Sequence, residues 1–172
     1  GVYIMKLLGA VLLTGAAAFM GILKAREQKN RAETLRQLIT MLGQLRNEIG
    51  TSLSPLRQAL NRIPDMSGSA GSFLLLLRTG MDALGSRSFY EIWSDAAESS
   101  LGILTPEQRL AVIEPGRSIG RYDAQLQLSE LERCRVRLET EYNELCAGLH
   151  DRRKMYVGLG TGLGMIFSIL LL

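Results

Sequence analysis

The chain has 172 residues, with 20 basic and 17 acidic side chains, one histidine and two cysteines. Its net charge of +3 is local: apart from Lys6, Lys24, Arg26, Arg152, Arg153 and Lys154, 14 basic residues stand against 17 acidic ones. The basic balance therefore reports the flanks of two apolar ends, and with no basic–aromatic interleaving it excludes a nucleic-acid surface.

The first apolar segment, Leu7–Leu23, is 17 uncharged residues between Lys6 and Lys24. That suffices for a membrane helix, particularly if Lys6 snorkels so that Val2–Met5 extend the span. A cleaved signal peptide is the competing reading, with Lys6 as its basic region and Ala16–Ala18 as a small-residue site. The basic run that follows, with Lys24 and Arg26, argues for retention on the cytoplasmic side.

Leu35, Leu38, Ile39, Leu42, Leu45 and Ile49 recur at three- and four-residue steps and predict one helix face. No Gly or Pro interrupts Ile22–Met41, so this helix should continue unbroken from the span and end near Gly50. Ser54-Pro55 offers an N-cap and a first-turn proline for a helix with Leu56, Leu60 and Ile63, ending at Pro64. Residues 64–72 read as a loop, and Phe73–Leu84 as a short helix. Ser88 with Glu91 forms a capping box before Phe89, Ile92, Trp93 and Ala96. Thr105-Pro106 with Gln108 repeats it before Leu110 and Ile113, and Pro115-Gly116 predicts a break.

From about Tyr122 the apolar positions Ala124, Leu128, Leu131, Leu138, Tyr142, Leu145 and Leu149 form one stripe. Only Arg135 breaks it, with Cys134 as the inward alternative. Without a later proline, this helix should run straight into the last 18 residues, Met155–Leu172, which carry no charge. It would be roughly 75 Å long at 1.5 Å per residue. Arg152, Arg153 and Lys154 mirror Lys24 and Arg26, which places both flanks on the cytoplasmic side. The expected fold is all-α, a cytoplasmic helical bundle with long antiparallel first and last helices that continue into two transmembrane helices. Its segments are 1–23 (span), 24–154 (cytoplasmic helical domain) and 155–172 (span). Gly158/Gly162 and Gly160/Gly164 are overlapping GxxxG pairs about 200° apart, and Gly15, Ala17 and Gly21 offer a small-residue face on the first span. Tolerated glycine in a membrane helix is the plain alternative.

Catalytic chemistry has little to work with. His150 beside Asp151 reads as an interfacial residue, and no Cys/His set has metal spacing. "GLGTGLG" lacks the Lys-Ser/Thr of a phosphate loop. Cys134 and Cys146 on one helix would stand about 18 Å apart along its axis, too far for a bridge that needs Cα atoms within about 7 Å. Glu130, Glu132, Glu139, Glu141 and Glu144 alternate with Arg133, Arg135 and Arg137 as on an exposed mixed-charge helix. The expectation is no enzyme, no cofactor, no metal, no nucleic acid and no small-molecule substrate.

The opening "KLLGA" at Lys6–Ala10, "LRQL" at Leu35–Leu38, Glu48-Ile49, Pro55-Leu56 with Ala59-Leu60, and Ile119–Asp123 with Gln127 resemble the stage III sporulation protein AB family in order and spacing. The closing span is similar too; isoleucine at 119 stands where that family usually has leucine. The resemblance implies a subunit of a channel-like complex between mother cell and forespore. It also implies a likeness in domain type to the inner-membrane platform proteins of type II secretion. Such a platform would sit in the mother-cell membrane and contact a cytoplasmic ATPase and other membrane proteins of the complex. Asp123 and Gln127 would then form either a docking corner or a fold-fixing one. A membrane-anchored adaptor that recruits a soluble partner is the rival expectation.

Overall fold

A computed structural model describes the backbone of residues 2–51, 55–119 and 124–170, and side chains in 19–50, 55–119 and 125–149. Among the described residues the fold is all-α, with no strand; the elements are α1 (Val2–Thr51), α2 (Leu56–Arg62), α3 (Gly68–Gly80), α4 (Phe89–Ser100), α5 (Pro106–Ile113) and α6 (Ala124–Leu170). Short 3₁₀ turns at Met81–Ala83 and Glu114–Arg117 follow α3 and α5.

α1 is unbroken for 50 residues, as the absence of Gly and Pro between Ile22 and Met41 requires. Its expected stripe is the core face: Leu35, Leu38, Met41, Leu42 and Leu45 are fully buried, while Ile39 and Ile49 pack at its edge. α6 answers with Leu131, Cys134 and Leu138. Arg135 stands aside and Cys134 takes the inward place, its thiol donating to the Ala111 carbonyl at 3.3 Å. The two helices run antiparallel: Gly50 lies against Leu128, Arg46 reaches Glu132 at 3.5 Å, and Gly43 faces Arg135.

α2 to α5 pack against this pair around Trp93. Its indole is fully buried, edge-on to Phe73 at 5.1 Å and 83°, and its Nε1–H donates to the Val112 carbonyl at 2.7 Å. The expected break at Pro115-Gly116 has a packing cause. A Cβ at Gly116 would stand 2.5 Å from Trp93 Cδ1, so only glycine lets the 3₁₀ turn lie on the ring. Both capping boxes form, Ser88 with Glu91 and Thr105 with Gln108.

Four expectations need correction. α2 starts at Leu56, because Pro55 keeps an extended ψ of 140° and serves as the N-cap, its carbonyl accepting from the Gln58 and Ala59 amides; Ser54 lies outside the described residues. The 64–72 loop is shorter, because α3 already begins at Gly68. Ser and Gly hid that first turn from a propensity reading. Gly71 is needed there, since a Cβ would strike the Met66 carbonyl oxygen at 2.1 Å. At its other end α3 stops at Gly80 and a 3₁₀ turn, short of Leu84, as Ile92 Cγ2 approaches Gly80 to where a Cβ would meet it at 2.5 Å. Leu110 points outward, and Ala111, Val112 and Ile113 fill the core side of α5.

Candidate anchoring and docking surfaces

The N-terminal part of α1 extends past the bundle. The first buried side chain of α1 among the described residues is Ala32, so its N-terminal residues project beyond the core. There Phe19, Met20, Gly21, Ile22 and Leu23 are exposed in succession, followed by exposed Lys24 and Arg26. At 100° per residue five consecutive positions face every direction round a helix. Of these, Phe19, Met20, Ile22 and Leu23 cover an arc of about 160° and Gly21 faces the other side; so broad an exposed apolar band is unusual in contact with water. A Cβ at Gly21 would meet nothing within 4 Å.

Among the described residues no helix is long and apolar enough to cross a membrane. Met155–Leu172 and most of Leu7–Leu23 lie outside the residues whose side chains are described. Of the expected site residues, Gly15, Ala17, Arg152, Arg153, Lys154, Gly158, Gly160, Gly162 and Gly164 fall there, as do Asp123 and His150. Gln127 is described and is buried, at 9% exposure.

Where α1 meets α6, charge settles into a network. Arg135 donates to both Glu132 oxygens, at 3.0 and 2.7 Å, and to Glu139 at 2.8 Å. Those bonds hold the Glu132 carboxyl below the usual carboxylate range and the guanidinium above its own. On α1, Arg36 and Gln37 both donate to Glu33 and hold it down at about 2. These pairs fix helix faces; none stands opposite an acceptor or nucleophile in a cleft. Among the described residues no group of three or more His, Cys, Asp or Glu could hold a metal ion. Cys134 and Cys146 are free thiols, and burial pushes the Cys134 thiol up to about 12.

Arg78 carries an unexpected structural task. Its guanidinium donates to the Leu60 carbonyl at 3.1 Å, to the Ile63 carbonyl, and to Asp65 at 2.6 Å. It thereby satisfies the end of α2 from the last turn of α3. Arg57 makes the reciprocal tie, donating to the Met81 carbonyl and to Asp82 at 2.7 Å.

The sequence reading missed one surface. Leu74 and Leu77 are buried, but Leu75 and Leu76 face out, 60% and 39% exposed. The signal was present: four successive leucines span 300° of a helix, more than one core face can absorb. Grooves flank this ridge. One of about 360 Å³ is lined by Asp65, Met66, Gly71, Leu75 and Arg78 among others. The second, about 270 Å³, lies between α3 and α4 and includes Leu76, Thr79, Ile92 and Asp95.

No curated protein sequence matches the chain. A solved structure described as "Stage III sporulation protein AB" shares the fold, with a TM-score of 0.59 at 18% identity over 70% of this chain and 97% of that one. The family described as "Stage III sporulation protein AB" matches residues 6–172. With nearly its whole length matched and its helical topology shared, this chain belongs to the stage III sporulation protein AB family.

Proposed function

We propose that the protein is a non-enzymatic platform subunit of the stage III sporulation complex. It is anchored through 1–23 and 155–172 in the mother-cell membrane, and presents 24–154 to the cytoplasm. The observation that carries this reading is the band of exposed apolar side chains at Phe19, Met20, Ile22 and Leu23, directly followed by Lys24 and Arg26 and projecting past the core. Lipid is the medium in which such a surface costs least, and basic residues at its edge favour the cytoplasmic side.

The antiparallel register supports a two-helix anchor. Continued without slip from Gly50/Leu128 and Arg46/Glu132, it sets Lys24 level with Lys154 and brings the Gly15, Ala17, Gly21 segment opposite Gly158–Gly164. Small residues would let the two backbones approach closely, with the second glycine face of the last helix left for another protein's span. Asp123 and Gln127 are proposed as a fold-fixing corner, since the buried position of Gln127 favours a structural role over surface contact.

The partner proposed is the complex's cytoplasmic ATPase, with other membrane proteins of the stage III assembly. The test is calorimetry between that ATPase and the full chain in lipid nanodiscs. Micromolar or tighter binding is the expected result, and no detectable heat with either the reconstituted chain or the 24–154 domain removes the docking reading. A membrane-anchored adaptor is the second reading. Gly160→Leu with Gly164→Leu separates the two: complex assembly is lost for a platform and retained for an adaptor that needs only an anchor.

A further inference from the structure

We infer that the outer face of α3, with its two grooves, is a docking site for a basic amphipathic helix of a partner protein. The shape comes first. Ser72, Leu75, Leu76 and Thr79 are all exposed and fall at the i, i+3, i+4, i+7 spacing of a helix-packing stripe. Two leucines form the ridge, and the small Ser72 and Thr79 at its ends allow a second helix to approach to about 8–10 Å. The flanking grooves, about 360 and 270 Å³, are where side chains either side of such a helix would sit. The inner face of the same helix is already spent on the core through Ala70, Phe73, Leu74 and Leu77.

The charge around the ridge selects the occupant. α3 carries one charge, Arg78, whose guanidinium is drawn inward onto the α2 carbonyls and left 21% exposed, while its partner Asp65 is 91% exposed. On the other side Arg87 pairs with Asp95, and again the carboxylate is the outer member, 65% against 44%. α4 contains no base and adds exposed Glu91, which also closes the capping box, and Glu98, the outer member of a pair with Arg109 at 3.5 Å, 60% against 24% exposed. The face is therefore an apolar ridge with carboxylates outermost on both rims. A partner helix with a leucine- or isoleucine-type stripe bordered by Lys and Arg matches it, and an acidic one is repelled. This deepens the docking reading above and rests on it for the partner's identity, while the face itself stands on its own geometry.

The experiment uses the full chain in nanodiscs of neutral lipid and two synthetic 18-residue helical peptides with the same leucine stripe, one flanked by lysine and arginine, the other by glutamate. The basic peptide should bind at least about tenfold tighter than the acidic one. Leu75→Glu with Leu76→Glu should weaken it about tenfold or more, and Asp65→Asn with Asp95→Asn several-fold, with unchanged thermal melting in each variant. Equal binding of both peptides, or wild-type affinity in the leucine variant, overturns the proposal. So does a change of the leucine variant's own oligomeric state without peptide discrimination, which would assign the face to a second copy of this chain. The same variants titrated with the ATPase keep the two readings apart: wild-type affinity throughout moves the ATPase to another surface, whereas no binding even by the wild type removes the docking reading and leaves the peptide result intact.

Discussion

At the residue scale, the core is decided by a few close approaches. Gly116 lies on the Trp93 ring with no room for a methyl group. Gly116→Ala should destabilise the fold by about 1–3 kcal/mol in urea unfolding, as overpacked cores do. Gly102→Ala, where a Cβ meets nothing within 4 Å, should stay within about 0.5 kcal/mol. Cys134 adds a dependence on alkaline pH. Its thiol is raised from 9.0 to about 12 by burial, so the unfolded state loses this proton first as pH rises. Its contribution is intact below pH 9 and declines by about 1.4 kcal/mol per pH unit between there and 12. Stability curves from pH 8 to 11 should show that decline, and Cys134→Ala should flatten it. In the folded protein at pH 8, a thiol reagent should label half-buried Cys146 well before Cys134.

At the scale of elements, helix ends are where sequence and structure meet most directly. Ser88-x-x-Glu91 and Thr105-x-x-Gln108 were legible because a capping box is a local exchange of hydrogen bonds that needs only its own four residues. Ser88→Ala and Thr105→Ala should each cost about 1 kcal/mol in thermal or urea unfolding. The Glu91 carboxyl is held below its ordinary range by the Ser88 backbone and side chain, so the first box contributes above the usual carboxylate pKa and weakens as pH falls through the lower folded value. The α2–α3 connection was misread because its determinants are not local. Arg78 reaches across 18 residues to the Leu60 carbonyl, and nothing in the spacing of arginines announces a long-range cap. Arg78→Ala should therefore destabilise by about 2–3 kcal/mol, as it strands two carbonyls. Asp65→Ala, removing the exposed half of the pair, should cost under about 0.5 kcal/mol.

For the whole molecule, α1 and α6 act as one antiparallel beam on which the short helices hang. The proposed anchor predicts that the full chain stays with the membrane after alkaline carbonate extraction. A chain limited to 24–154 should instead be recovered in solution and remain predominantly helical by circular dichroism. Recovery of the full chain in the carbonate supernatant would contradict the anchor.

The sequence by itself determined the helical class, the extent of α1 and both capping boxes, and offered Cys134 as the inward alternative to Arg135, because periodicity and caps act within a few turns of one chain segment. The resemblance carried by its ordered motifs likewise led to the family. Only the tertiary structure decided which of the four leucines at 74–77 face the core, why Gly116 follows Pro115, and where Arg78 spends its charge. Each of those depends on a residue far along the chain that arrives at the same place: Trp93 for Gly116, the end of α2 for Arg78, and for the leucines the choice of which side of α3 is covered and which is left open.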